Sequence, residues 1–436
     1  MITINNIKSV SDSYLCSNCG ACKVVCHKRQ ISFKFSNIGR KYAFVGDECV
    51  QCGLCRKVCP SLNDEHGYKA NYEGNIKSIV IARSQEKSIY QNSQSGGATT
   101  ALLSYLFNEG LIQAAVVCVM SFGKTPIVKG KIVRSKSELY SSQKSCYTPV
   151  DLLSALEEID SSIDVALVGL PCHIEGLNLI QKISKKYLNI KYKLGLICDR
   201  TLCAGIQNAI ASFNKHTSDI LFHWRKKDFY YDGILYTYEN APVVILDSEG
   251  YETVIPNYVR FSLKDMFTSP RCRVCNDKLN IFADIVLGDP WGMKGCDMLH
   301  GDSVLIIRSK TGLQIYKDAL EKNYIIKQCD GYYEDLLNGQ GIKNRRHNSQ
   351  VARKALSVIL GNHSEFSILR TSESISEQEV IKTQVNIRDF IRLDKASEKE
   401  VLEQAHKQIA ATERAIRLNK SVIIRALLKI KSSIGL

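Results

Sequence analysis

From residue 76 onward, short runs of aliphatic and β-branched residues recur at 76–82, 114–119, 165–168, 192–197, 243–246, 285–287 and 304–307, each bounded by polar or turn-forming residues. Runs of that length and composition predict strands. Stretches at 98–108, 151–159, 174–183, 205–213 and 313–321 lie between them and predict helices. The alternation predicts an α/β core, with the strand ends and the loops after them as the natural place for a site. The last hundred residues read as helical: Ser397 and Glu400 are spaced as a capping box, and Val401, Ala405, Ile409 and Ile416 follow at helical intervals. No chemistry is visible in that part. Residues 61–74 are polar and turn-rich, which predicts a linker.

The N-terminal sixty residues follow a different pattern, set by cysteine. Cys16, Cys19, Cys22 and Cys26, then Cys49, Cys52, Cys55 and Cys59, each read C-x2-C-x2-C-x3-C. This is the ligand run of a bacterial ferredoxin module, in which three thiolates hold one [4Fe–4S] cluster and the fourth crosses to the other. Cys16, Cys19, Cys22 and Cys59 are therefore expected to hold one cluster, and Cys49, Cys52, Cys55 and Cys26 the second. Pro60 follows the second run whereas His27 follows the first, a change that removes no ligand. Zinc ribbons use separated CxxC pairs, and disulfides need an oxidising compartment. The first fifteen residues lack a charged start followed by an apolar stretch, so the expected location is the reducing cytosol. The organisation expected is a ferredoxin-like α+β domain over 1–72, an α/β core in two parts (75–160 and 161–335) and a helical basic extension over 336–436.

Charge adds one feature. The formal net charge is +14, and from residue 341 to the end there are eighteen Lys/Arg against ten Asp/Glu. Beyond Glu413 the charged residues are all basic (Arg414, Arg417, Lys420, Arg425, Lys429, Lys431), while Ile416, Ile423, Leu427, Ile430 and Ile434 form one stripe. Two readings stay open: a helix touching a membrane surface or partner, and a helix packed on its own domain. No nucleic-acid reader motif accompanies the charge, so no nucleic-acid partner is expected. No apolar run reaches about 18 residues, the length needed for a spanning helix.

Two constellations could carry further chemistry. Ser93-Gln94-Ser95-Gly96-Gly97-Ala98-Thr99-Thr100 opens a predicted helix. Glycines there allow a ligand close to the backbone, and the free N–H groups of a helix start attract an anion such as pyrophosphate; a tight turn is the plainer alternative. Separately, Cys172 follows Gly169-Leu170-Pro171, Cys198 ends Gly195-Leu196-Ile197, and Cys272 and Cys275 form a CxxC ahead of Gly288-Asp289-Pro290-Trp291-Gly292. Four cysteines at strand ends can converge on a metal centre, or serve as buried structural thiols beside a redox or half-zinc pair.

The segments SQSGGATTALLSYLFNEGLI, KSCYTPVDLL, GLPCHIEGL, LGLICDR, CRVCNDKLNIFADIVLGDPWG and GDSVLIIRSKTG, in this order, resemble the family of coenzyme F420 hydrogenase/dehydrogenase beta subunits, a group of FAD and iron–sulfur proteins. The resemblance covers roughly residues 93–312, and it implies that Ser95, Gly96, Gly97 and Thr99 lie against FAD. It further implies that Cys172, Cys198, Cys272 and Cys275 hold a third [4Fe–4S] cluster. Lys144, Tyr147 and Pro149 match a family stretch where a lysine meets phosphate or the charge of reduced flavin. Asp289 and Trp291 fall at a strand end, Trp291 either stacking near a cofactor ring or packed as core. His173 stands where family members often carry Gln; proton supply is one role for it and a satisfied structural histidine the other. The candidate catalytic residues are thus Lys144, His173 and Asp289. No feature marks deazaflavin use.

The function expected is that of an FAD and iron–sulfur oxidoreductase exchanging electrons with a ferredoxin-like or other redox partner and acting on a small molecule. The alternatives are an electron-transfer subunit of a larger complex, a reductase tied to polysaccharide biosynthesis, and a cluster-bearing sensor without turnover.

Overall fold

The computed structural model describes residues 5–63, 73–361, 366–371 and 375–433, with side chains described through Asn419. In chain order the strands are β1 (Ile31–Phe35), β2 (Lys41–Val45), β3 (Ser78–Ser84), β4 (Ala114–Ser121), β5 (Ile127–Val133), β6 (Val165–Gly169), β7 (Ile190–Leu196), β8 (Ile220–His223), β9 (Phe229–Tyr231), β10 (Ile234–Tyr236), β11 (Val243–Asp247), β12 (Glu252–Ile255), β13 (Ile285–Gly288), β14 (Ser303–Ile307) and β15 (Ile325–Asp330).

Eight of these make the central sheet, in the order β15-β3-β14-β13-β7-β6-β4-β5. Its middle, β13-β7-β6-β4, is parallel, and the flanking pairs are antiparallel. Both faces are covered, which is why the inner strands read as unbroken apolar runs. Val80, Ala82, Leu305 and Ile307 meet helices Ala98–Asn108 and Lys310–Glu321 on one face. Ile79, Ile81, Val304 and Ile306 turn to the other face, against Leu336 and Leu337.

Within this sheet the two strands that the hydrophobic pattern did not disclose, β5 and β15, form its edges; β1, β2, β8, β9, β10 and β12, outside it, were not disclosed either. The two edge strands carry IVKGKIV and IIKQCD, the polar, charged composition that keeps an edge from pairing with another chain. The helix expected over 151–159 is a tighter 3-10 turn, Leu152–Glu158. A second sheet, β12-β11-β8, packs with helices Gly205–Phe213 and Asn257–Leu263 around Phe222, Trp224, Val243 and Ile245.

The cysteine-rich N-terminus is a small hairpin, β1–β2, with one-turn helices Ala21–Val24 and Leu54–Lys57 inside the two cysteine runs, each carrying the third cysteine of its run. It is docked tightly. A Cβ on Gly39 would fall 2.1 Å from the Gly205 nitrogen, Ala204 N–H donates to the Gly39 carbonyl (2.9 Å), and Leu153 N–H donates to the Cys19 carbonyl (2.9 Å). The expected linker falls mostly on residues outside those described.

The C-terminal region is no detached extension. Helix Ile342–Ile359 and residues Phe366, Ile368 and Ile387 share one apolar core with Ile7, Val10, Leu15 and Ile31 of the cysteine-rich unit. Asp394, on helix Glu377–Lys395, forms a two-pronged ion pair with Arg40: Nε to Oδ1 at 3.0 Å and Nη2 to Oδ2 at 2.9 Å, the carboxylate buried and the guanidinium partly so. The final helix runs Glu398–Ser433, and its capping box forms as expected: Glu400 N–H donates to Ser397 Oγ (3.3 Å) and Ser397 N–H to Glu400 Oε2 (2.9 Å). Val401, Ala405 and Ile409 pack on the second sheet's core. The basic stripe from Lys420 onward lies outside the described side chains. Among the described residues, no helix is long and apolar enough to cross a membrane.

Candidate functional site

The three parallel strands β6, β7 and β13 end side by side, and Leu170, Ile197 and Asp289, each the first residue after its strand, line a cleft of about 510 Å³. Strand carboxyl ends are where an α/β sheet leaves a crevice, and the volume lies within the usual range for small-ligand sites. Of the residues expected from sequence, Ser95, Gly97, Thr99, Lys144, Tyr147, His173, Cys198, Asp289 and Trp291 all face this space.

The glycine loop enters it as a helix start. Gly97 has φ +73° and precedes helix Ala98–Asn108, a conformation that an L residue adopts at a cost. Gly96 does not line the cleft. A Cβ there would fall 2.6 Å from Ser303 N and 2.9 Å from the Ala82 carbonyl, so this glycine serves the fit of the loop against β3 and β14. The loop is tied from below by Lys227, whose buried ammonium donates to the carbonyls of Ser95 (2.7 Å) and His300. Burial brings the Lys227 pKa down to about 8.

Opposite stands the segment 144–147. Lys144 (φ +75°) and Tyr147 (φ +57°) both hold left-handed backbone, strain that tends to collect at ligand sites. Lys144 Nζ lies 3.4 Å from His223 Nε2; burial, then Lys226, lower its pKa. The Tyr147 hydroxyl accepts from Gln94 (3.2 Å), and Arg260 sits over its ring.

His173 is spent on structure. Its Nδ1 accepts from Leu170 N–H (3.1 Å), which requires the proton on Nε2, where it is donated to the Val150 carbonyl (3.1 Å). Burial lowers its pKa to about 4. Both ring nitrogens are thus held by backbone, Nδ1 at the start of helix Pro171–Ile183 and Nε2 at the Val150 carbonyl, which is the satisfied structural arrangement, one of the two roles open to it from sequence. Asp289 is likewise paired, with Arg225 Nη1 at 2.5 Å. Arg225 also lies 5.0 Å from the Trp291 ring, and Trp291 stacks on Tyr238 with centroids 5.0 Å apart. Trp291 therefore has an aromatic partner of its own and forms a wall of the cleft.

The cysteines gather in three sets. Cys22 is buried, and after that burial the groups acting on its thiol are Cys19, Cys16, Cys59 and Cys55. Cys59 feels Cys19 and Cys16 in turn, and Cys55 feels Cys49 and Cys52. Cys59 thus lies near the first run, and Cys22 near members of both runs. Further along the chain, Cys198 feels Cys272 and Cys275, and Cys172 feels Cys19, Cys198 and Cys275.

Burial pushes Cys19 to about 11 and Cys59 to about 12, so these sulfurs need a cation before they ionise. Backbone hydrogen bonds from Ala21 to Cys19 and from Ser61 to Cys59 oppose that shift. Among the described residues no three His, Cys, Asp or Glu side chains close on one ion-sized point, the arrangement a single zinc ion takes. Thiolates at the corners of a four-iron core stand wider apart, so the donor set fits iron–sulfur chemistry.

Several residues of the site carry no motif and were not legible in sequence. Arg345, on helix Ile342–Ile359, donates to the Cys272 carbonyl (2.6 Å). Against the effect of burial, Arg200, Lys264 and Arg345 hold Asp199 well below the usual carboxylate range. Gln340, which also faces the cleft, donates to the Asp289 carbonyl (2.7 Å) and accepts from Lys278 (2.5 Å). The C-terminal region thus helps to build the site.

Comparison with known proteins matches these parts one by one. Residues 79–157 match the model of the N-terminal part, and 163–329 that of the C-terminal part, of the coenzyme F420 hydrogenase/dehydrogenase beta subunit. The chain belongs to that family. Residues 15–63 match a 4Fe-4S dicluster domain, making this family member an iron–sulfur protein. Relatives include a subunit of the F(420)H(2) dehydrogenase of Methanosarcina mazei, 25% identical over 72% of this chain and 91% of that one. The coenzyme F420-dependent sulfite reductase of Methanocaldococcus jannaschii is 26% identical over 80% of this chain, which spans about half (52%) of that longer protein. The fold is shared with a chain of the F420-reducing [NiFe] hydrogenase complex from Methanosarcina barkeri, at TM-score 0.51 and 21% identity, covering 66% of this chain and 94% of that one. These relatives are redox proteins, and the family member described here is an oxidoreductase chain.

Proposed function

We propose that this protein carries single electrons between a surface-facing pair of [4Fe–4S] clusters and FAD held in the cleft, through a third cluster on Cys172, Cys198, Cys272 and Cys275. The observation that carries the reading is one helix. Pro171–Ile183 bears Cys172 in its first turn, and a Cβ on its Gly176 would lie 3.4 Å from Cys19 Sγ. Two sulfur sets therefore meet across a single helix beside the cleft.

Exposure gives this arrangement a direction in space. Cys52 is exposed, whereas Cys19, Cys22, Cys55 and Cys59 are buried. The Cys52 side is the entry for a redox partner protein, and the cleft is the far end. Electrons travel either way along such a path, as the potentials at its ends dictate.

The cleft suits an anionic cofactor. Lys144, Arg200, Arg225, Arg260, Lys264 and Lys278 line it, against two acids, Asp199 and Asp289. Those acids engage Arg200, Lys264 and Arg225, and the Arg260 Nε is buried with no hydrogen-bond partner among the described residues. Lys144 and Arg260 are thus the cations turned to a ligand, with Ser95, Gly97 and Thr99 at the helix start taking a pyrophosphate. FAD, when bound, supplies the exchange between two-electron substrate chemistry and one-electron transfer.

Among the relatives are one subunit of a dehydrogenase and the beta subunit of a hydrogenase, and these favour one second reading, in which the chain feeds a larger assembly and has no acceptor of its own. Anaerobic purification with iron and flavin counts, followed by reoxidation of the dithionite-reduced protein with deazaflavin and other small acceptors, separates the two. Reoxidation without a partner supports the self-contained enzyme; bound flavin without acceptor activity supports the second reading. Absence of flavin overturns the proposal.

A further inference from the structure

Cys118 and Cys146 belong to none of the three cysteine sets, yet their sulfurs lie 3.6 Å apart, and both line the cleft. They come from different elements. Cys118 is fixed on β4, in the body of the sheet, whereas Cys146 sits in the loop between Lys144 and Tyr147, both held at positive φ. Opposite Cys118 in the ladder is Gly130 of β5, where a Cβ would fall 2.9 Å from the Leu152 carbonyl. That close approach seats the chain just after the Cys146 loop against the sheet. By contrast, Cys203 is fully buried, and Cys296 and Cys329 do not line the cleft.

We propose that Cys118 and Cys146 form a redox-active dithiol that reduces a disulfide-bonded substrate in the cleft. The geometry assigns the roles. Cys146 is carried on the loop and Cys118 is fixed on β4, so Cys146 is the sulfur placed to attack and Cys118, 3.6 Å away, the one that resolves. The bond to Cys146 and burial both keep the Cys118 proton in place.

In the first step the Cys146 thiolate attacks one sulfur of the substrate R–S–S–R′, forming Cys146–S–S–R and releasing R′S⁻. In the second, Cys118 gives up its proton to solvent, attacks Cys146 Sγ and releases RS⁻. Two protein thiols become one disulfide, one substrate disulfide becomes two thiols, and the two protons of the protein thiols balance the two thiolates released. The sulfurs need to move from 3.6 Å to a bonded ~2.05 Å, a change of side-chain torsion and loop position. This activity goes beyond the flavin reading, and its readout needs no flavin.

The test uses the anaerobic, iron-loaded full chain and 5,5′-dithiobis(2-nitrobenzoate), an anionic aromatic disulfide. The expected result is a fast release of about two aryl thiolates per chain, retained iron, and a Cys118–Cys146 linked peptide. Digestion with trypsin and Glu-C separates Cys146 from Cys172, because Glu157 and Glu158 lie between them. Cys118→Ser should stop at the mixed disulfide, with an aryl group on Cys146 and about one thiolate released; Cys146→Ser should abolish the fast phase. Separate aryl labels on the two cysteines, or no reaction at either, would overturn the proposal. If a variant loses iron, the linked peptide of the unaltered chain decides.

Discussion

The cysteine-rich unit and the cleft make opposite use of the chain. In the first, each run of four cysteines occupies eleven residues, and a hairpin with one-turn helices brings three thiols of a set together locally. In the second, the lining residues come from the glycine loop, the 144–147 loop, three strand ends, β8's neighbourhood, helix Asn257–Leu263 and Gln340 just before helix Ile342–Ile359, more than two hundred residues apart in sequence. A local site tolerates change elsewhere in the chain, whereas a site assembled from distant segments depends on every interface that holds those segments. The arrangement teaches that the docking contacts of the N-terminal unit are as much a part of the redox path as its ligands.

The largest effect should come where the two regions touch. Cys19→Ser removes a proposed ligand that also neighbours Cys172, so loss of about four iron atoms and a collapse of electron delivery to the cleft are expected. Iron analysis with partner-driven reduction assays checks this; normal delivery would separate the two regions functionally. Cys275→Ser should also cost about four iron atoms and leave the ferredoxin pair intact, seen as a remaining iron content of about eight per chain. An unchanged iron count would return Cys275 to a structural role.

Next comes the interface itself. Asp394→Ala leaves the partly buried Arg40 guanidinium without its carboxylate, and a loss of about 2–3 kcal/mol, below that of a fully buried pair, is expected. Denaturant unfolding followed through the cluster absorbance measures it. If the cysteine-rich unit behaves independently, the cluster signal will persist where the C-terminal helices have melted.

Within the cleft, Gly97→Asp places a carboxylate beside the helix start and forces an L residue to φ +73°, at about 1–2 kcal/mol. Loss of flavin with iron retained is the expected outcome; unchanged flavin would move the cofactor elsewhere. The smallest effect concerns pH. Lys227 is protonated below about 8 and neutral above it, so its charge-assisted bond to Ser95 is complete on the acid side and weakens as pH rises through 8. Flavin affinity should fall severalfold across that interval, and Lys227→Gln should remove the step.

How much of this could be read from the residues follows the same division. The ferredoxin runs, the parallel strands and the capping box at Ser397 were legible because each is a short-range pattern, a spacing or a period that the backbone converts directly into structure. Edge strands β5 and β15 escaped because an edge must be polar to stay unpaired, which erases the apolar alternation by which strands are recognised. His173 could be named from sequence, but its role as a helix cap needed the positions of Leu170 N–H and the Val150 carbonyl.

What the amino-acid order determined alone is the inventory: soft sulfur ligands at fixed intervals, glycines before a helix, and the class of core. Tertiary structure decided which of these meet. Only the packing of distant elements brings Cys172 to Cys19, Arg345 to Cys272 and Cys118 to Cys146. Proximity between distant segments is set by the packing of all the elements between them, and no local run of residues encodes it.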